Sequence, residues 1–578
     1  MARDREHRKD IDGLRAIAVL SVILFHFGYL ANGYLGVDVF FVISGYLITG
    51  IIYDELLSGG FSLVRFYLGR TRRILPLALF VTLVSFAIGM QLMLPDDLEN
   101  LAESVVATNL FGNNILQAVT TRDYWDVVNE YKPLVHTWTL GVEEQYYFFY
   151  PILLLALRKN VRALLPGALV ALTAASVALN CAHFPDFQKF FYLPFRFYEL
   201  SLGGLGAIYF RDRRLRHRVS PFLVLALLLA LCIPLPFVSA KVLVPASVLL
   251  TLGILVSASD TGTLAALALE NPLIVAVGKI SFGLYMWHQV ILAYARYAFG
   301  ALTPLRLAVV FVLTLVLSVA TYRFVEQPFR RRETVSTRTL LATVSAVLAL
   351  STALALVAYL RAGVLRDVPE LDIVAAHVQQ GMHAAYNHRI YEYDRSFPET
   401  DKVKVLVVGN SFSRDWSNVL LESNYAANIA ISYTDDPSSC PDFTQRAREA
   451  DVVFYSETRR STLRLADDVI AKLWVVGTKN FGVSNGAVYN HQGGDYYAQR
   501  TRLDRRFLAQ NEALKRDWSA RYVDLLGKIM DGGETVPVFT PSRKFISQDC
   551  RHLTRAGAAY FAQLFDAELG SILRRAGS

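Results

Sequence analysis

Long apolar stretches separated by short polar segments make up the first 361 residues of the chain. Each stretch has roughly the length that a bilayer requires of a helix, although a few are short or polar. They cover eleven ranges: 13–27, 36–53, 74–94, 143–157, 163–181, 194–210, 220–237, 241–258, 272–298, 304–322 and 339–361. The pattern therefore predicts a polytopic α-helical membrane bundle of about eleven spans.

The basic segments give this bundle an orientation. The N-terminus "MARDREHRKD" is charged and precedes an apolar stretch without a small-residue cleavage signal, which predicts an uncleaved first span and a cytoplasmic N-terminus. Counting from inside then puts the basic segments 69–73, 158–162, 211–218 and 323–338 in the cytoplasm, as the positive-inside rule requires. This anchoring mostly explains the net charge of +8, so nothing points to nucleic acid.

Residues 362–578 have a different, more polar pattern. Short apolar runs at 403–411 ("VKVLVVGNS"), 450–457 and 472–483 are typical of buried parallel strands, and helix-like stretches at 460–473 and 554–576 alternate with them. This alternation predicts a three-layer α/β domain with a mainly parallel sheet, which an odd number of spans places outside the cytoplasm. We divide the chain into a transmembrane domain (1–335), an eleventh span with a linker or partly helical adaptor (336–400) and a periplasmic domain (401–578).

Two polar residues interrupt the first apolar stretch. Arg15 and His26 are eleven residues apart, which on a helix places them about 20° apart in rotation and about 16 Å apart along the axis. Because a charge at bilayer depth is costly unless it is paired or faces a cavity, both are candidate functional residues. The alternative for Arg15 is an extended side chain that reaches the nearby cytoplasmic interface.

One constellation in the second domain indicates catalytic chemistry. Ser411 follows directly on an apolar strand, at the sheet edge where α/β folds place reactive groups. Asp549 and His552 are three residues apart, so the carboxylate could orient the imidazole towards a serine. The alternative is a capped helix start and a surface histidine. Cys440 and Cys550 also lie in this domain, where an oxidising periplasm could pair them.

The serine and the Asp-x-x-His pair resemble the SGNH (GDSL-type) hydrolase fold. The resemblance implies that Ser411 is the nucleophile, that His552 is the general base and that Asp549 orients it, with the Ser411 N–H as an oxyanion donor. Asn410 stands where that family has an aspartate, which leaves open a weaker catalyst or a glycan-positioning module. Asn485 is the candidate for the family's asparagine.

The membrane half resembles the acyltransferase family 3 over about residues 10–330. The motifs appear in the family's order, and they are "DIDGLRAIAVLSVILFHF", "GYLGVDVFFVISGYLIT", "FYLGRTRRILP", "HTWTLGVEEQYYFFYP" and "ISFGLYMWHQ". Its fusion to an SGNH-like domain resembles the bacterial O-antigen and peptidoglycan O-acetyltransferases. The resemblance implies acetyl-CoA as cytoplasmic donor and a glycan hydroxyl outside as acceptor, with no metal.

The resemblance also gives roles to individual residues. His26 would mediate acyl transfer as a base or as the acyl acceptor. Arg15 together with Arg70, Arg72 and Arg73 would bind the phosphates of coenzyme A, although a basic run here also sets topology. A sugar site at the outer mouth of the fourth span would use the residues His136, Trp138, Glu143 and Glu144, with positions 136 and 143 on one face if the segment is helical. An interfacial aromatic belt is the alternative.

Further polar groups within the spans are expected to be structural. Glu199 is expected to pair with Arg196, and Ser281, Tyr285 and His288 share one helix face as supporting groups. The sequence favours an O-acetyltransferase of lipopolysaccharide O-antigen, with peptidoglycan or an exopolysaccharide as other acceptors. A proton-coupled transporter using Arg15, His26 and Glu199, or an external domain that acts as an esterase, is the alternative.

Overall fold

The chain folds into two compact units, which we describe separately. The computed structural model describes residues 8–120, 127–210, 220–234, 237–257, 268–377, 382–461, 463, 465–479, 481–482, 485–490 and 493–576. The first unit comprises Met1–Ile88, Leu101–Arg296 and Ala301–Leu356, and the second comprises Gly89–Asn100, Tyr297–Gly300 and Val357–Ser578. The basic segment 211–218 lies outside the described residues.

Helices make up the polypeptide as far as residue 360. In chain order they are α1 (Lys9–His26), α2 (Gly36–Leu57), α3 (Leu63–Leu92), α4 (Pro95–Asn109), α5 (Asn113–Thr120), α6 (Trp138–Ala156), α7 (Val161–Cys181), α8 (Asp186–Phe191), α9 (Leu193–Tyr209), α10 (Ser220–Cys232), α11 (Ala240–Val256), α12 (Pro272–Lys279), α13 (Ser281–Phe299), α14 (Pro304–Thr321), α15 (Gln327–Arg330) and α16 (Thr337–Leu360). A π-helical segment, Tyr322–Glu326, joins α14 to α15.

Every one of the eleven predicted apolar stretches coincides largely with a helix. The stretch 272–298 corresponds to the pair α12 and α13, which is bent by 65°. Within the described residues, five helices are long and apolar enough to cross a membrane, and the bent pair would be a sixth. The helical nature of the first 360 residues and several apolar candidate spans are thus confirmed, while the number eleven stays a prediction.

Glycines allow helices of the first unit to approach at backbone distance. A methyl group at Gly45 of α2 would overlap the Leu200 backbone of α9, and one at Gly203 of α9 would overlap the Val42 backbone of α2. In apolar surroundings such close packing substitutes for the hydrophobic driving force that water supplies elsewhere. The pair α2 and α9 is therefore a fixed part of the bundle, and it carries several of the polar side chains described below.

The second unit contains a parallel sheet surrounded by helices. Its helices are α17 (Met382–His388), α18 (Ser411–Leu421), α19 (Phe443–Glu449), α20 (Asp467–Ile470), α21 (Gly486–Asn490), α22 (Arg505–Trp518), α23 (Leu525–Ile529), α24 (Arg555–Leu564) and α25 (Asp566–Ala576). Its strands are β1 (Val403–Val408), β2 (Ile429–Thr434), β3 (Val452–Ser456), β4 (Leu473–Val476), β5 (Arg500–Arg502), β6 (Tyr522–Val523) and β7 (Thr535–Pro537). The main sheet has the order β2-β1-β3-β4-β6 with parallel neighbours, and β5 and β7 form a separate antiparallel pair.

Strand β1 shows why the sheet is covered on both faces. Val405 and Val407 belong to a core with the helices α18, α24 and α25, whereas Leu406 and Val408 belong to a second core with α19, α20 and α22. Successive side chains of a strand point to opposite faces, so a continuous apolar run is buried on both sides. The predicted three-layer α/β arrangement with a parallel sheet is confirmed.

Three expectations for this unit need correction or refinement. In the stretch 460–473, expected to be helical, the described helix is only α20, and the apolar end of the stretch belongs to β4. The stretch 554–576 is two helices that break at Phe565. Cys440 and Cys550 are free thiols, with Cys440 donating to Asp442 and Cys550 donating to Asn485, so the disulfide is not formed.

We expect Gly203→Ala to lower the stability of the full-length protein. The added methyl group would displace the Val42 backbone, and such overpacking costs about 1–3 kcal/mol. Gly167→Ala in α7 is the matched control, because its methyl group would meet nothing within 4 Å. Thermal unfolding in detergent measures both variants. Equal melting temperatures for the two variants would contradict the close α2–α9 approach.

Candidate functional site

Ser411, His552 and Asp549 form a hydrogen-bonded triad in the second unit. His552 Nε2 lies 3.0 Å from Ser411 Oγ, and His552 Nδ1 lies 2.5 Å from Asp549 Oδ2. A carboxylate accepts only, so the Nδ1 proton faces Asp549 and the lone pair of neutral His552 faces the serine hydroxyl. This is the arrangement in which an imidazole takes the proton of a serine as the serine attacks a carbonyl carbon.

The local fold holds each member of the triad in place. Ser411 is the first residue of α18, whose preceding residue Asn410 caps the helix by accepting the Phe412 N–H at 3.0 Å. Asp549 Oδ1 accepts the backbone N–H groups of Arg551 at 2.9 Å and His552 at 2.7 Å. Burial alone raises the pKa of Asp549, but the His552 ring and these N–H donors outweigh burial and hold that pKa well below its usual range. The carboxylate therefore stays ionised.

Asn485 and Asp96 lie beside the loop that carries Asp549. The Asn485 amide donates to the Ser547 carbonyl oxygen and accepts from the Cys550 thiol, so it supports this loop. A role as oxyanion donor stays a prediction. Asp96 interacts electrostatically with Asp549 and His552, and burial raises the pKa of Asp96 to about 6. Its position at the start of α4 gave the sequence no reason to place it near the triad.

The first unit contains a cavity of about 650 Å³ with a strongly basic lining. This volume is in the usual range for small-molecule sites. The basic lining residues are Arg8, Arg15, Arg70, Arg73, Lys279 and Arg330, against the acidic Asp12 and Glu143. The Arg70 guanidinium lies 5.6 Å from the centre of the Tyr147 ring. Among the described residues, neither Arg70 nor Arg73 forms an ion pair, so the cavity has an excess of positive charge.

Arg72 does not line this cavity, contrary to the expectation that it acts with its neighbours. Its guanidinium donates to the carbonyl oxygens of Phe329 at 3.0 Å and Val335 at 2.8 Å, and to Thr337 Oγ1 at 3.1 Å. Residues 70 and 73 are three apart and share a helix face, whereas residue 72 points elsewhere. Arg72 therefore holds the segment 329–337 and is corrected from a ligand-binding to a structural residue.

His26 belongs to a cluster of three imidazoles. His26 Nδ1 lies 3.0 Å from His288 Nε2, and His288 Nδ1 lies 2.6 Å from the Tyr285 carbonyl oxygen. Because the carbonyl only accepts, neutral His288 carries its proton on Nδ1, His26 donates from Nδ1, and the lone pair of neutral His26 is on Nε2. The His136 and His288 ring centres are 5.4 Å apart. No group suited to holding a metal occurs among the described residues.

The four residues expected at one sugar site are not gathered in one place. His136 lies in a short 3-10 helix and packs against Tyr285 and His288, whereas α6 begins only at Trp138. Glu143 lines the basic cavity. The expectation that positions 136 and 143 share one α-helical face is thus wrong, since the segment between them changes helix type. Glu144 lies with Arg70 in a neighbouring cavity of about 390 Å³.

A buried ion cluster surrounds Trp138. The expected Arg196–Glu199 pair is confirmed at 3.0 Å, and Arg196 also contacts Asp38 at 2.6 Å. The Arg196 guanidinium lies 5.8 Å from the centre of the Trp138 ring. A narrow crevice of about 20 Å³ is lined by Asp38, Trp138, Arg196 and His26 but not by Glu199, and it shares Val37 and Tyr285 with the basic cavity. Arg15 and His26 thus line two adjacent spaces.

The sequence did not indicate the importance of His288 and Asp38. His288 was expected to be a supporting group, yet it forms the hydrogen bond that fixes the His26 tautomer. The sequence carried one signal for both residues: each is a polar residue inside an apolar stretch, where a buried side chain needs a charge or hydrogen-bond partner. The sequence does not show which helices, distant along the chain, pack against each other. Only that packing decides which partner each polar residue meets.

Comparison with known proteins identifies a family for the N-terminal part of the chain. A family model described as an acyltransferase domain matches residues 8–323, more than half of the chain. The chain belongs to the acyltransferase family 3. This match covers the basic cavity and the histidine cluster, and it ends before the Ser411 triad. Membership confirms the family that the sequence motifs indicated.

Relatives of this acyltransferase family 3 chain are found in Staphylococcus aureus. A protein of strain COL, named provisionally as an O-acetyltransferase, is 29% identical over 350 residues, which are 56% of this chain and 57% of its own length. The O-acetyltransferase OatA of strain NCTC 8325 / PS 47 is 26% identical over 351 residues, with 56% and 57% covered. The alignment thus spans little more than half of these curated relatives. No solved structure matches the chain.

The triad predicts selective labelling of Ser411 by a fluorophosphonate probe, which reacts with activated serines. We expect His552→Gln to slow this labelling at least about 100-fold, since the hydroxyl then lacks its base. Ser438→Ala, at an exposed serine, is the control and should keep the wild-type rate. Mass spectrometry of the labelled full-length protein locates the adduct. Labelling spread over many serines, or unchanged in His552→Gln, would contradict an activated Ser411.

Proposed function

We propose that the chain is a membrane O-acetyltransferase that moves acetyl groups from cytoplasmic acetyl-CoA to hydroxyl groups of a bacterial surface polysaccharide. The observation that carries this proposal is the presence of two acyl-transfer centres in one chain. One is the basic cavity beside His26 within the acyltransferase family 3 domain, and the other is the Ser411 triad. A transporter would need no serine triad.

The donor end of the proposed reaction is the basic cavity. Coenzyme A carries a pyrophosphate and a 3′-phosphate, and guanidinium groups suit phosphate oxygens in geometry and charge. Arg15, Arg70 and Arg73 are the residues proposed to bind it. An excess of buried positive charge is costly without a counter-ion, so an anionic ligand would stabilise this part of the protein. Arg72 is left out because it does not line the cavity and its terminal nitrogens donate to the segment 329–337 instead.

His26 is proposed to act on the acetyl group once the donor is bound. The hydrogen bond to His288 puts the lone pair of neutral His26 on Nε2. As a nucleophile, Nε2 would form a bond to the acetyl carbon while the C–S bond breaks and coenzyme A leaves as a thiolate. The Nδ1 proton of the resulting acetylimidazolium would pass to His288 Nε2. As a base, Nε2 would take the proton of an attacking hydroxyl. Both steps conserve charge and need no metal or redox partner.

Ser411 is proposed to carry the acetyl group before the final transfer. Its Oγ would attack the acetyl carbonyl while His552 Nε2 takes the hydroxyl proton, and His552 would then return this proton to the leaving group. A sugar hydroxyl would next attack the serine ester, losing its proton to His552, and release Ser411. The backbone N–H at Ser411, at the start of α18, is the proposed oxyanion donor.

Lipopolysaccharide O-antigen is the first acceptor that we propose. A second candidate acceptor is peptidoglycan or an exopolysaccharide, because the relatives are named as O-acetyltransferases without a stated acceptor. In either case, the periplasm is the proposed location of the second unit and the bacterial inner membrane that of the first.

The decisive experiment follows labelled acetyl groups through the full-length protein in proteoliposomes. With acetyl-CoA and acceptor glycan, we expect Ser411→Ala and His26→Ala each to lower glycan acetylation at least about 100-fold. Without acceptor, the wild type should accumulate label on Ser411. Full acetylation by Ser411→Ala would rule out the serine step, and full acetylation by His26→Ala would rule out the scheme as a whole.

Arg72 and Arg73 allow a matched test of donor binding. We expect Arg73→Gln to raise KM for acetyl-CoA about 10-fold to 100-fold, since a hydrogen bond between charged groups contributes about 1.5–3 kcal/mol. Arg72→Gln should instead lower the melting temperature, because the Phe329 and Val335 carbonyl groups lose their donor. The reverse result, with donor affinity lost only in Arg72→Gln, would show that Arg73 is not a ligand.

A further inference from the structure

A buried ion pair lies beside the triad but is not part of it. The Asp415 and Lys479 side chains are each only 1% exposed, and Lys479 Nζ contacts Asp415 Oδ2. The Lys479 ammonium also lies 4.5 Å from the centre of the Phe412 ring. Burial lowers the pKa of Lys479 although the Asp415 carboxylate opposes this shift. Lysine is almost never buried so completely unless it has a specific partner.

The pair connects the two elements that carry the catalytic groups with the end of strand β4. Asp415 lies on α18, one helical turn after Ser411, and Lys479 follows strand β4. The same Asp415 Oδ2 accepts the backbone N–H of Leu553, the residue after His552, at 2.7 Å. One carboxylate oxygen therefore ties the helix of the nucleophile to the loop of the general base.

Stability alone is a poor explanation for this arrangement. Replacing a buried ion pair with apolar residues of similar volume is often neutral or stabilising. Moreover, Asp415 Oδ1 is buried without a hydrogen-bond partner among the described residues, so the carboxylate is not fully satisfied. The pair instead fixes the separation between Ser411 and His552. The rate of proton transfer from Ser411 to His552 depends on a short, aligned hydrogen bond.

We propose that Asp415, held by Lys479, is a positioning residue that sets the Ser411–His552 hydrogen bond by accepting the Leu553 N–H. Lys479 neutralises the buried carboxylate and keeps its Oδ2 directed at Leu553. The inference deepens the proposed function, because it rests on Ser411 as an acyl-accepting nucleophile. It assigns to the pair a role in the rate of attack and none in binding.

Two charge-neutral double variants of the full-length protein test this role. Asp415→Asn with Lys479→Met keeps an amide oxygen that can accept the Leu553 N–H, whereas Asp415→Ala with Lys479→Met removes it. The measured quantity is the maximal rate and the half-saturating concentration of fluorophosphonate labelling at Ser411. We expect the alanine double variant to lose at least about tenfold in maximal rate with unchanged half-saturation, and the asparagine double variant to stay within about threefold of wild type.

The single variant Lys479→Met adds an independent measurement. It leaves the carboxylate without its counter-ion and should lower both the melting temperature and the labelling rate, and Asp415→Asn on top of it should restore both. If all variants label Ser411 at the wild-type rate while only melting temperatures move, the pair is structural and the inference is wrong. This failure is distinct from that of the proposed serine step, which falls when Ser411→Ala still acetylates glycan, and from that of the whole scheme, which falls when His26→Ala does so.

Discussion

A charge that leaves water must meet an opposite charge or hydrogen-bond partners, and both units are organised around this constraint. In the first unit, Arg196 of α9 lies between Asp38 of α2 and Glu199, which fixes the two helices in rotation as well as in distance. The close approach that glycines allow between α2 and α9 is what brings these groups together. In the second unit, Lys479 and Asp415 play the corresponding part between a strand end and a helix. Packing and electrostatics therefore select the same arrangement.

In the basic cavity, the protein itself does not supply an opposite charge for every buried cation. The two terminal nitrogens of the Arg72 guanidinium donate to two carbonyl groups and a hydroxyl of the segment 329–337, which holds this side chain in place. Arg70 and Arg73, on the same short segment, line the cavity without an ion pair among the described residues. The contrast between neighbours distinguishes the arginine that holds a backbone segment from the two that line the cavity better than sequence position does, because all three lie within four residues of α3.

The sequence was sufficient for features that depend on local periodicity. Apolar stretches located the helices, the continuous run at 403–411 located β1, and the Asp-x-x-His spacing placed Asp549 against His552, because a turn spans three residues. The sequence could not predict features that depend on which helices pack together in the tertiary structure. The partner of His26 is His288, 262 residues away, and the expected face shared by His136 and Glu143 fails where a 3-10 helix precedes α6. A single turn of different helix type is enough to change which groups meet.

The two histidine centres differ in the acceptor that fixes their tautomer, and this difference bears on their chemistry. The Nδ1–H of His552 donates a hydrogen bond to the Asp549 carboxylate, and the Nδ1–H of His288 donates one to the neutral carbonyl oxygen of Tyr285. A carboxylate stabilises the imidazolium that forms when the base takes a proton, whereas a carbonyl orients the ring with much less stabilisation of positive charge. His552 is thus suited to holding a proton during attack by a hydroxyl. His26 faces the neutral His288 and, behind it, a carbonyl oxygen, so positive charge on the His26 ring lacks the carboxylate stabilisation that the His552 ring has, whether that charge comes from a proton or from an acyl group.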